Sequence, residues 1–150
     1  MQKQHVKISG KVRVVHKDAN LNLISDITHC NDIVDSGLAY LASRAINASA
    51  AVMSHIALGD SVVAVAPADV ALGNELGREA IVLAVSVANV VTYETSFGPG
   101  VATGAITEAG IFNAPAAGTM LNRLVFPVVN KGALDTIEVE WTVTFADDGV

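Results

Sequence analysis

The stretch that decides the fold reads Gly104-Ala-Ile-Thr-Glu108-Ala-Gly-Ile-Phe-Asn113, then Ala-Pro-Ala-Ala-Gly118, then Thr119-Met-Leu-Asn-Arg123-Leu-Val-Phe126. Two strand-like runs flank a short connection containing Pro115 and Gly118, which is a hairpin signal. Each run carries one charge among apolar neighbours, Glu108 in the first and Arg123 in the second. With the turn centred near Ala116, the two lie about equally far from it and are expected to face each other. Opposite charges so placed support register by roughly 0.2–1 kcal/mol when half exposed. Buried, they must pair, because a lone charge in that setting is costly. The motif reads as architecture, and it points to an assembly protein before an enzyme.

Working outward, the last strand-like run carries the cleanest alternation. Ile137, Val139, Trp141, Val143 and Phe145 face one way, and Thr136, Glu138, Glu140, Thr142 and Thr144 the other. Upstream, residues 78–87 and 90–97 are β-rich runs separated by a tight turn or bulged bend at Ala88-Asn89. Residues 61–77, with Pro67 and two glycines, read as a loop pinned to the core by Leu72 and Leu76. Ile56-Ala-Leu58 is a short strand stopped by Gly59-Asp60. One helix is expected, with Asp35-Ser36 as N-cap oxygens and Leu38, Leu41, Ala42 and Ala45 on one face, ending near Asn47. Residues 6–15 alternate as a strand with a break at Ser9-Gly10. They turn at Asp18-Ala-Asn20 into a second strand from Leu21. About eight strands with one helix predict a mainly β protein, an antiparallel β-sandwich with one short packed α-helix.

A chain of 150 residues is large enough to bury a core as one domain without disulfides or metal. Half the residues are apolar while aromatics make up only 5%, so the core is small and β-branched and apolar surface is expected to remain for a partner. The net charge of −6 hides an asymmetry. Residues 1–17 hold Lys3, Lys7, Lys11, Arg13 and Lys17 and no acid, and residues 18–150 hold four basic and fifteen acidic residues. The basic segment is expected to be a docking strand or arm, with residues 18–150 as the β-sandwich body. A lysine-protected sheet edge is the alternative. Nucleic acid is not the expected partner, because the arm lacks interleaved aromatics and the acidic body repels phosphate.

Cys30 is the only cysteine, which suits a reducing compartment. No secretory leader is visible, and the longest apolar run, residues 80–91, is too short to span a bilayer. No membrane partner is therefore expected.

Tests for chemistry are negative. His5, His16, His29 and His55 form no ligand pair at metal-binding spacing. His29 and Cys30 point to opposite faces of an extended chain and cannot act together, so Cys30 reads as a small buried hydrophobe. The glycines at 98, 100 and 104 precede a strand, whereas a dinucleotide loop opens a helix. No catalytic residue, metal or cofactor is expected. Glu75, Arg78, Glu108 and Arg123 are expected to form a structural ion-pair cluster.

Three segments together resemble a known family: Asn31-Asp-Ile-Val-Asp-Ser-Gly-Leu-Ala-Tyr-Leu-Ala42; His55-Ile-Ala-Leu-Gly-Asp60 leading to Ala71-Leu-Gly-Asn-Glu-Leu-Gly-Arg78; and residues 104–113 with Gly118-Thr-Met-Leu-Asn-Arg123, closing on Val139-Glu-Trp-Thr-Val-Thr-Phe145. This order resembles a β-rich domain of tailed-bacteriophage virion proteins, found in capsid decoration (cement) proteins and in amino-terminal parts of tail-fibre proteins. The family often has a Gly-Thr-Gly-like turn where this chain has Gly59-Asp60-Ser61. The resemblance implies a virion structural protein and carries over no catalytic residue.

With only Ala-Asp-Asp-Gly-Val after Phe145 and no receptor-binding shaft, a decoration protein is expected. It would be made in the host cytoplasm, sit on the capsid surface, bind the major capsid protein through the basic arm and self-associate as a homo-oligomer, a trimer first. A tail or baseplate adaptor, or a tail-fibre attachment protein, is the alternative. A carbohydrate-binding module is a third reading, and it requires Trp141 and Tyr93 in an open groove.

Overall fold

Period-two patterning places nine strands and one helix among the described residues. In chain order they are β1 (Val6–Lys17), β2 (Leu23–Ile33), α1 (Asp35–Arg44), β3 (His55–Gly59), β4 (Glu75–Ala80), β5 (Leu83–Val87), β6 (Val90–Phe97), β7 (Gly104–Phe112), β8 (Met120–Lys131) and β9 (Thr136–Asp147). The structure, a computed structural model, describes residues 5–46 and 50–147. Its strands form one antiparallel sheet in the order β4-β3-β7-β8-β2-β1-β9-β6-β5. The sheet curls around a shared core. Val12, Val14, Val139 and Trp141 from one half pack in the same cluster as Ile56, Leu58, Ile106 and Leu124 from the other. The Thr95 hydroxyl of β6 donates to the Ala80 carbonyl at the end of β4, 2.6 Å away, so the curl brings opposite sides of the strand order together.

The mainly β character and the single helix agree with the sequence pattern, but the strand boundaries differ where the apolar run is longest. Residues 78–87 are not one strand. Arg78–Ala80 complete β4, and Leu83–Val87 form β5 at the far end of the strand order. The chain crosses at two residues: the Ile81 amide donates to the Ser54 carbonyl and the Val82 amide to the Glu94 carbonyl, both at 2.8 Å. Ala-Ile-Val-Leu-Ala-Val carries no glycine or proline to mark that switch. The start of β4, Glu75–Gly77, falls where a loop was expected, and Leu76 is correspondingly half exposed while Leu72 is buried.

β1 runs through Ser9-Gly10 without a break and lies inside the sheet, paired with β2 over Gly10–Lys17 and with β9 over Val6–Lys17. The expected division at residue 17 is therefore a hairpin turn within one sheet, not a boundary between arm and body. Gly10 sits opposite Asn31, and a Cβ there would run into the Asn31 side chain. That vacancy lets Asn31 reach the fully buried Trp141, whose indole N–H donates to Asn31 Oδ1 at 2.9 Å.

The helix differs in its cap and its face. Val34 is the N-cap and supplies no side-chain bond, Asp35 is a first-turn acid, and the helix ends at Arg44. The Ser36 hydroxyl donates instead to the Met120 carbonyl at 2.9 Å. Gly37 and Tyr40 face the core, with Leu41 beside them, while Leu38 is exposed. Gly37 sets this rotation, because its bare Cα rests on the Leu121 backbone. Asn47 lies outside the described residues. Cys30, expected to be buried, is exposed on β2.

Candidate functional site: a loop pinned by buried charge

Glu108 on β7 and Arg123 on β8 meet, though not directly opposite each other. The register sets Glu108 against Val125 and Gly110 against Arg123, so the pair is diagonal on one face. Arg123 Nε and Nη2 donate to Glu108 Oε2 at 2.9 and 2.7 Å. The two side chains are 0% and 2% exposed, so this is the buried case, in which pairing is obligatory.

The remaining bonding capacity of both groups is spent on residues 60–74, which connect β3 to β4. Glu108 accepts the backbone N–H of Asn74 at 2.8 Å, of Gly73 at 2.9 Å and of Ser61 at 3.3 Å. Arg123 donates to Asp69 Oδ2 at 2.8 Å and to the Val63 carbonyl at 3.1 Å. Asp69 Oδ2 also accepts the Ala66 amide, and the Thr107 hydroxyl donates to the Ser61 carbonyl. Burial disfavours the Arg123 cation, but its bonds to Glu108 and Asp69 more than offset this and leave its pKa raised. The Ala66 amide, and after it Arg123, hold the Asp69 carboxyl below its ordinary value. Beneath the loop, Leu72 and Val65 pack with Val34, Ala57, Phe112 and Met120 in a small second core. Its outer surface shows Val62, Val63 and Val70, each about two-thirds exposed or more. The loop is thus held at its base by buried polar bonds while it presents aliphatic side chains to solvent.

The expected four-residue cluster divides into two. Glu75 and Arg78 pair with each other, Nε–Oε1 at 2.9 Å and Nη2–Oε2 at 2.6 Å. Arg78 then lies 3.8 Å over the Phe112 ring and donates to the carbonyls of Ala114 and Ala117 in the β7–β8 turn. It clamps the hairpin tip, where Ala117 and Gly118 take positive φ.

Of the basic residues expected to form an arm, Lys3 lies outside the described residues. Lys7 and Lys11 are exposed on β1. Arg13 forms a two-pronged pair with Asp26 on β2, and Lys17 binds Glu138 on β9. Over Gly10–Lys17 the strand has a partner on each edge, so this stretch cannot add to another protein's sheet. What it offers a partner is side chains.

The pattern missed Asp69, whose role depends on a loop with no periodicity, and Lys131. Lys131 ends β8 almost fully buried and donates to the Gly98 carbonyl at 2.9 Å. It missed Asn31 as well, for which the alternation of β2 gives no hint of a bond to Trp141. Trp141 is enclosed and the opposing Tyr93 is half buried, so the pair does not form the open aromatic platform that the carbohydrate reading required.

No protein family, curated protein or solved structure matches the chain.

Proposed function

We propose that this protein is a bacteriophage capsid decoration protein that binds the major capsid protein shell and stabilises the head. The observation that carries the reading is the convergence at Glu108 and Arg123. The segments quoted above for the resemblance at residues 55–60, 71–78, 104–113 and 118–123 supply β3, β4, β7, β8 and the closing part of the loop, and they meet at this ion network. A buried ion pair thus holds in place a loop with exposed valines, which supports reading this face as a structural surface.

The sandwich expected from the sequence belongs to the same reading. It is supported by the narrow junction within the single curled sheet, where β2 meets β8 through two residue pairs, Asp32↔Arg123 and Ile33↔Asn122, and by the core that the two halves share. Docking is assigned to Val62, Val63 and Val70 on the outside of the loop, with the exposed lysines of β1 adding charge attraction to an acidic shell surface.

The test is titration of purified protein onto undecorated shells of the same phage, with bound copies counted against major capsid protein. Saturation at a fixed ratio to the capsid subunits supports decoration. Binding at a few copies per particle moves the protein to the tail, as an adaptor or fibre-attachment protein.

A further inference from the structure

One polar side chain in the core makes no bond to the rest of the fold. Asn122 on β8 is 0% exposed, and neither its Oδ1 nor its Nδ2 has a hydrogen-bond partner among the described residues. A buried carboxamide in that condition is costly, and folded proteins satisfy nearly all such groups. Turning the amide over does not help, because it only exchanges two atoms that both lack partners. The neighbouring side chains across the sheet offer nothing either. Asn122 lies opposite Ile33 on β2 and Ile111 on β7, and both isoleucines pack in the main core. Arg123, the next residue along β8, points to the other face, where it and Glu108 are committed to each other and to the loop.

We infer that Asn122 and Asn31 form an internal water site, in which one water molecule joins the two carboxamides where the halves of the sheet meet. Asn31 stands two residues before Ile33 on β2, so it shares the face of Asn122 and lies diagonal to it, at the spacing of about 7–8 Å usual for such neighbours. Its Oδ1 accepts the Trp141 indole N–H, and its Nδ2 donates to the Asp32 carbonyl. A carboxamide has two N–H donors and two acceptor lone pairs, so Asn31 keeps one of each for a further partner. The β2–β8 pairing ends at Asp32↔Arg123, and the strands part at Asn31 and Leu124, beside Asn122. A ligand at this point must be small, must donate and accept at once, and must be uncharged, since isoleucines flank it. Water meets all three conditions, and buried waters typically make about three hydrogen bonds to polar groups that the protein leaves unpaired. This inference stands apart from the capsid reading.

Crystal structures of the full chain, as wild type and as Asn122→Leu, test this at a resolution that shows ordered solvent. The wild type should hold one water within hydrogen-bond distance of both the Asn122 and the Asn31 carboxamides. Asn122→Leu, which puts an apolar group of similar size in place of the amide, should lose that water and keep Asn31 bonded to Trp141. If the variant does not fold, solution NMR of the wild type carries the test alone. Water-selective NOE spectra should then show cross-peaks from the Asn122 side-chain amide protons with the sign of a long-lived bound water. An Asn122 carboxamide bonded only to protein atoms, an amide with neither solvent density nor a water cross-peak, or a water retained unchanged in Asn122→Leu would overturn the inference.

Discussion

At the scale of single residues, the fold depends on a few polar groups whose bonding is fully committed. Arg123→Met should be among the most damaging substitutions, because it leaves the Glu108 carboxylate buried beside loop amides without its cation. Breaking such a pair costs about 3–5 kcal/mol, visible as a lower urea midpoint with an unchanged denaturant slope. Arg13→Ala removes a pair of which one side chain is half exposed, and its midpoint should barely move. Asn31→Leu leaves the buried Trp141 N–H without its acceptor, at a cost of about 1–3 kcal/mol. It should also shift the tryptophan emission, which has a single source in this chain.

The pairing of Glu108 with Arg123 was legible in the sequence, since two lone charges in apolar runs at matched distances from a turn have few other options. The diagonal offset was not, because it arises from register shifts on either side of Glu108 and Gly110 that no residue type announces. Asp69 as the third member was equally invisible, as a loop aspartate has no periodicity to tie it to a strand.

At the scale of elements, β1 sets the strongest expectation. It contributes the buried residues Val12, Val14 and His16 and is hydrogen-bonded to β2 and β9. Removal of residues 1–17 should therefore unfold the protein, with loss of cooperative thermal melting and of the strand signal in circular dichroism. A truncated chain that melts cooperatively would show that the segment is peripheral after all. The basic composition suggested a separable arm, yet the Val12 and Val14 alternation in the same residues already marked a core strand. Burial of the apolar face outweighs the distribution of charge. In β9 the two signals agree, and its alternation was read correctly along its length. The switch from β4 to β5 was the hardest element to see, because a continuous aliphatic run satisfies a strand equally well on either side of the sheet.

At the scale of the whole molecule, four carboxylates among the described residues contribute to the response to acid. Asp18 is held below its ordinary pKa by Asn22, Asp26 by Arg13, Asp69 by the Ala66 amide and Arg123, and Asp135 by His16 and the Gly132 amide. Each binds its proton less readily in the folded chain, so the unfolded chain takes up more protons as pH falls through the carboxylate range. The contribution of these groups is complete above the unfolded carboxylate pKa of about 4 and is lost below it, as the folded values are passed. Urea midpoints measured down a pH series should therefore hold steady for these groups above that value and decline beneath it.

The most direct test of the functional claim is binding to undecorated shells by the wild type and by Val62→Asp, a change on the exposed side of the loop that leaves the buried network in place. The account predicts wild-type saturation in fixed proportion to major capsid protein, and strongly reduced binding by Val62→Asp at an unchanged melting temperature. Absence of wild-type binding, or equal binding by both proteins, would contradict it.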